Sequence, residues 1–84
     1  MRQFLLMSSE GCHLCDEAAD ILIAQLNPSQ HLLDEVDIAY DDALMEKYGV
    51  LIPVLVDEAS GAELRWPFDA EGVGEFIRQI ETQA

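Results

Sequence analysis

The chain has two cysteines, set three residues apart as Cys12-His13-Leu14-Cys15. Two thiols at this spacing can form a disulfide, exchange it with a substrate, or share a soft metal ion. The thiolate is the reactive form for each of these, so the surroundings of the sulfur decide its use. Cys12 falls between a short apolar run, Gln3 to Met7, and a segment of helical periodicity from about Cys12 to Leu26. The first N–H groups of a helix lack an internal partner and carry partial positive charge. A thiolate at Cys12 is stabilised by them, whereas Cys15 is expected one turn further on, on the buried side with Leu14 and Ala18. Cys12 is therefore the expected nucleophile and Cys15 the resolving thiol. His13 reads either as an imidazolium that supports the thiolate or as a neutral residue facing solvent. The bland alternative, two inert core cysteines, fits Cys12 poorly because it lies at a loop edge. Cys12, His13, Cys15 and His31 could supply four zinc ligands. Adjacent Cys12 and His13 are poorly spaced around one tetrahedral ion, so no metal site is expected.

The elements that must hold this pair follow from punctuation and period. Gln3 to Met7 has the length of a buried strand. In the helix after it, Leu14, Ala18, Ile21, Leu22 and Leu26 are predicted to share one face, and Asn27-Pro28 ends it. Leu32 to Ile38 alternates and carries acids, which predicts an edge strand. Asp41-Asp42 opens a short helix with Leu44, Met45 and Tyr48 on one side, stopped at Gly49. Val50 to Val56 is apolar and β-branched, but Pro53 cannot donate to a ladder, so the strand starts at or just after it. Asp57 to Gly61 reads as a hairpin turn and Ala62 to Trp66 as the return strand. Asp69 caps a last helix with Val73, Phe76, Ile77 and Ile80 at helical spacing. The order is β-α-β-α-β-β-α: an α/β domain with a four-stranded mixed sheet and helices on both faces. The first βαβ unit should be parallel and right-handed, and residues 1–84 read as a single domain.

Composition removes several classes. Seventeen acidic residues face four basic ones, a net charge of −13. Arg2, Lys47, Arg65 and Arg78 are scattered, so neither nucleic acid nor an anionic membrane is an expected partner. Half the residues are apolar, enough for one core rather than a disordered tail. No run approaches the ~18 apolar residues of a membrane span. The apolar run at the N-terminus is too short for the roughly 7–15 residues of a secretory signal, so a cytoplasmic location is expected. In that reducing compartment a close cysteine pair points to redox chemistry or metal rather than stapling.

Strand, Cys-x-x-Cys, helix and then Ile52-Pro53 before a hairpin resembles the thioredoxin fold. Tyr48-Gly49-Val50-Leu51-Ile52-Pro53-Val54-Leu55 is similar to glutaredoxins and small glutaredoxin-like proteins, and the likeness covers nearly the whole chain. That resemblance implies a cis Ile52-Pro53 bond facing Cys12 and Cys15, with the Ile52 backbone offering strand-like hydrogen bonds to a bound thiol substrate. It also implies a role in cell redox homeostasis, with a thiol reductant such as glutathione or the thioredoxin system. Two departures bear on glutathione. Ser8-Ser9-Glu10-Gly11 replaces a stretch that usually carries lysine, and Arg65-Trp66-Pro67-Phe68-Asp69 replaces a Gly-Gly pair. Glu10, Asp16 and Glu17 would repel the two carboxylates of glutathione. A protein disulfide with basic surroundings, or a small thiol, is the better electrostatic match. Trp66 and Phe68 read either as packing or as an apolar rim beside the cysteines, and Tyr40 and Tyr48 as packing.

The leading expectation is a small, monomeric thiol–disulfide oxidoreductase or redox carrier with no bound cofactor. Cys12 and Cys15 would be catalytic, with His13, Ile52, Pro53 and Trp66 at the substrate. A soft-metal carrier for Cu(I) or zinc through the same cysteines is the alternative. Copper carriers of this length run β-α-β-β-α-β, however. A non-catalytic binding module of the same fold is the third reading.

Overall fold

Alternation along the first strand sorts its side chains between two cores. The computed structural model describes residues 1–82. In β1 (Arg2–Ser8), Phe4 and Leu6 point to one face of the sheet, and Leu5 and Met7 to the other. This is the period-two geometry of a strand covered on both sides. The first face is packed by α1 (His13–Gln25) and α3 (Ala70–Thr82). Ala18 and Leu22 of the one helix meet Val73, Phe76, Ile77 and Ile80 of the other. The second face is covered by α2 (Asp42–Tyr48), where Met7, Ile38, Tyr48 and Val54 form a smaller core.

The sheet order is β2-β1-β3-β4, with β2 at His31–Asp37, β3 at Val54–Asp57 and β4 at Glu63–Arg65. β1 and β2 are parallel; β1 pairs antiparallel with β3, and β3 with β4. The mixed sheet, the edge position of β2 and helices on both faces are as predicted. Asp69 Oδ1 accepts the Gly72 N–H at 2.8 Å at the start of α3. Asp41 Oδ1 accepts those of Ala43 and Leu44 at the start of α2. Each satisfies an N–H that the helix itself leaves unpaired.

Several details differ from the sequence pattern. Leu14 is not on the buried face of α1 but 46% exposed, because Cys15, Ala18 and Leu22 define that face and Leu14 is about 100° away from Cys15. Met45 is likewise exposed while Tyr48 is buried. Tyr40 is 86% exposed rather than packed, since it ends a 3-10 turn whose one buried residue is Ile38. That turn also ends β2 one residue early: Asp37 Oδ1 accepts the Ala39 N–H and bends the chain. Gly49 does end α2, as expected, with a right-handed φ of −48°. β4 is shorter than Ala62 to Trp66, being paired with just Val54, Leu55 and Val56. Asp57 is not an exposed turn residue; it ends β3 with no solvent exposure and binds Arg2 at 2.6 Å.

Candidate functional site

Ser9 to Cys12 make a tight turn out of β1. The Cys12 N–H donates to the Ser9 carbonyl at 3.2 Å, and Gly11 takes a φ of +81°. Side chains rarely adopt that conformation, which explains a glycine immediately before the cysteine. Cys12 then caps α1. Its backbone is extended (φ −86°, ψ 104°), and its Sγ accepts the Cys15 N–H at 3.2 Å. The sulfur thus sits where a capping oxygen would, against the positive end of the helix. Cys12 and Cys15 are joined as a disulfide, with Cα atoms 5.2 Å apart. Cys12 is half-buried and Cys15 buried, so the first sulfur is the more accessible. His13 opens the helix and faces solvent.

Ile52 and Pro53 reach the same end of the sheet through β3. The antiparallel register sets Met7 opposite Val54, so Pro53, immediately before Val54, lies at the end of the sheet where β1 finishes at Ser8. The Ile52-Pro53 bond is cis, as is Trp66-Pro67. Pro53 is fully buried, so its ring presents little surface to a substrate. The Ile52 N–H donates to the Tyr48 carbonyl at 3.2 Å, leaving its own carbonyl without a donor among the described residues. Of the two Ile52 backbone groups, the carbonyl is the one left open among the described residues. The Trp66 N–H donates to the Pro53 carbonyl at 3.3 Å. Its half-buried indole stacks edge-on against Phe68, centroids 5.0 Å apart, and packs on the larger core.

A groove of about 370 Å³ borders the turn before Cys12 and is lined by Glu10, Asp16, Glu35 and Asp37, with Ser8 and Gly11. Ser8 Oγ donates to Glu35 Oε2 at 3.3 Å. His31 is remote from this end. It opens β2 opposite Arg2, accepts the Asn27 N–H on Nδ1 at 3.0 Å and approaches Glu81 through Nε2. It therefore does not join Cys12 and Cys15. Among the described residues no three His, Cys, Asp or Glu side chains converge as a metal site.

Sequence reasoning missed a polar cluster beside the Ile52-Pro53 segment. Tyr48 Oη donates to Glu63 Oε2 at 2.5 Å, and Lys47 Nζ lies 3.5 Å from the same oxygen. Arg65 approaches the other carboxylate oxygen at 4.0 Å. The bond from Tyr48, helped by Lys47, holds Glu63 below the usual carboxylate range despite partial burial. Burial, and then the bond to Glu63, pushes the Tyr48 hydroxyl above an ordinary phenol. The sole hint in the sequence was the helical spacing that buries Tyr48, which leaves its hydroxyl in need of a partner.

A mixed sheet in this order, with Cys-x-x-Cys at the start of α1 and a proline before β3, defines a thioredoxin-like dithiol domain. The chain belongs to the glutaredoxin-like family: residues 3–78 match the model described as Glutaredoxin-like domain (DUF836). It is similar to the X-ray structure of target protein XcR50 from X. campestris, at 38% identity and a TM-score of 0.78, covering 90% of this chain and 96% of that one. Protein Ne2328 from Nitrosomonas europaea is 28% identical with a TM-score of 0.75, covering 89% of each chain. A malarial protein at 16% identity and a TM-score of 0.62 shares the fold, over 94% of this chain and 96% of that one. No curated protein matches the chain.

Proposed function

We propose that this domain is a small thiol–disulfide oxidoreductase or redox carrier that works through Cys12 and Cys15. The observation that carries the reading is Cys12 capping α1 with its sulfur on the Cys15 N–H, at the sheet end that Pro53 also reaches. In the reduced protein the Cys12 thiolate attacks one sulfur of a substrate disulfide. A mixed disulfide forms and the first substrate thiolate leaves. Cys15, as thiolate, then attacks Cys12 Sγ, closing the Cys12–Cys15 disulfide and releasing the second substrate thiolate. Two electrons pass to the substrate, and the released thiolates take up the protons of the two protein thiols. A cellular thiol reductant, either glutathione or the thioredoxin system, would return the pair to the dithiol.

The substrate that fits is a protein disulfide with basic neighbours. Glu10, Asp16, Glu35 and Asp37 border the approach to Cys12, and Arg65 is already turned to Glu63. The carboxylates of glutathione find little to bind in that arrangement. The proposed setting is the cytoplasm, the role is redox homeostasis, and the acting form is the monomer. The soft-metal alternative loses support because the chain runs β-α-β-α-β-β-α, not in the order of the copper carriers.

The test is a redox titration of purified protein together with reduction of disulfide peptides that carry lysine or glutamate beside the cystine. A reversible two-electron couple is expected, with faster turnover of the lysine peptide. A couple near −270 mV would be thioredoxin-like, and one near about −200 to −230 mV glutaredoxin-like. Reversible titration without turnover of either peptide would support the binding module instead. Stoichiometric copper or zinc in place of a reversible couple would favour the metal carrier.

A further inference from the structure

Tyr48 touches the Ile52-Pro53 segment from two directions. Its carbonyl accepts the Leu51 N–H at 2.8 Å and the Ile52 N–H at 3.2 Å. Its ring lies in the smaller core, against which Leu51 and Ile52 are packed. Its hydroxyl then crosses to β4, donating to Glu63 at 2.5 Å. β4 closes the circuit: Arg65 is paired with Val54, and the Trp66 N–H reaches the Pro53 carbonyl. The loop from Gly49 to Pro53 is therefore held at both ends by strands or helices that Tyr48 and Glu63 tie together. Beside that tie, the loop is anchored on the α2 side by backbone bonds to the Met45 and Tyr48 carbonyls and by the packing of Leu51 and Ile52.

We propose that Tyr48 and Glu63 are positioning residues, which fix the Ile52 carbonyl for a disulfide substrate by locking the end of α2 to β4. The proposal rests on the oxidoreductase reading, since it presumes that a substrate docks along Ile52. Neither residue reacts. Lys47 and Arg65 serve Glu63 from the solvent side, Lys47 lying also 5.0 Å from the centre of the Tyr48 ring. After the Tyr48 hydroxyl itself, they favour the ionised carboxylate. A hydrogen bond to a charged acceptor is about twice as strong as a neutral one, so its loss should be felt in the loop.

The experiment compares wild type, Tyr48→Phe, Glu63→Gln and the double variant. Insulin is the disulfide probe and dithiothreitol the reductant. Tyr48→Phe keeps the ring in the core and removes the hydroxyl alone. Its KM for insulin should rise about tenfold with kcat little changed, the scale of one lost hydrogen bond to a charged group. The Leu51 and Ile52 amides should exchange with deuterium about tenfold faster, while those of Leu6 and Leu55 stay at the wild-type rate. Alkylation of Cys12 by iodoacetamide in the reduced protein should stay within about twofold. Glu63→Gln retains an oxygen for the hydroxyl and should fall between the two. The double variant should be no worse than Tyr48→Phe, because both act through one bond. Unchanged KM and unchanged exchange at Leu51 and Ile52 in an insulin-reducing protein would overturn the positioning role alone. A wild type that neither reduces insulin nor reacts at Cys12 would overturn the oxidoreductase reading and this proposal with it.

Discussion

The Cys15 backbone N–H points at the Cys12 sulfur across 3.2 Å, so the resolving residue itself supplies the capping donor to its partner. When the disulfide opens, that donor remains available to a Cys12 thiolate, along with the positive end of α1. Cys15 has no equivalent, being inside the first turn and 4% exposed. Alkylation of the reduced protein near pH 7 should therefore label Cys12 first. Cys15→Ser should accumulate mixed disulfides with a thiol substrate, and Cys12→Ser should not. Faster labelling of Cys15, or identical behaviour of the two variants, would contradict the assignment.

Glu63 sets an acid limit on the Tyr48 link. Its folded value lies below the ordinary 4.5, first because Tyr48 donates to it. A lowered carboxylate stabilises the fold at pH above its unfolded value and loses that contribution as pH falls through the folded one. Tyr48 behaves in the opposite sense: raised above 10.0, it contributes fully below that value and fails as pH climbs through the folded one. The melting-temperature difference between wild type and Glu63→Gln should thus be level from about pH 5 to 9 and close towards pH 3. On the plateau it should correspond to about 1 kcal/mol, or roughly 4–8 °C in a domain of this size. A difference as large at pH 3 as at pH 7 would show that the carboxylate charge is not involved.

What could be read from the sequence was local. The Cys12 cap, the Asp41 and Asp69 caps, the strand start after Pro53 and the apolar stripe of α3 all depend on residues within a few positions of one another. The Tyr48–Glu63 bond spans 15 residues and the Arg2–Asp57 pair spans 55, and no period or spacing encodes either. Asp57 was misread for this reason. Aspartate before Glu58, Ser60 and Gly61 looks like turn chemistry, and the turn is there, with Ser60 Oγ donating to Asp57 Oδ2 at 2.5 Å. The guanidinium that makes burial of its carboxylate tolerable arrives from the other end of the chain. Leu14 shows a related limit: hydrophobicity placed it in the core, whereas the geometry after the Cys12 cap turns it outward.

Asp57 should be costly to leave alone. Its side chain is fully buried, both its donors converge on Oδ2, and Oδ1 has no hydrogen-bond partner among the described residues. Arg2, by contrast, keeps a quarter of its side chain in solvent. Removing the arginine strands a buried charge; removing the carboxylate leaves a guanidinium that water can reach. Arg2→Met should destabilise by about 2–4 kcal/mol in urea unfolding, more than Asp57→Asn, and adding Asp57→Leu to it should recover part of the loss. Equal costs for the two single changes would mean that the pair acts as an ordinary surface bridge.

Charge repulsion should limit this domain as a whole. All four cations are already engaged: Arg2 with Asp57, Lys47 and Arg65 with Glu63, and Arg78 with Glu75. Most of the seventeen acids therefore have no cationic partner, and Glu10, Asp16, Glu35 and Asp37 crowd one groove beside the dithiol. Screening shortens from about 30 Å at 0.01 M ionic strength to about 8–10 Å in the physiological range, which weakens repulsion between exposed carboxylates more than it weakens the buried Arg2–Asp57 pair. Melting temperature near pH 7 should therefore rise between about 10 mM and about 0.3 M NaCl. Glu35→Gln should raise the low-salt value and flatten the slope, because it removes one member of the crowded groove. A flat or falling salt dependence in the wild type would mean that the acids are spaced widely enough to ignore one another. The groove would then hold no stored repulsion for a basic substrate to relieve.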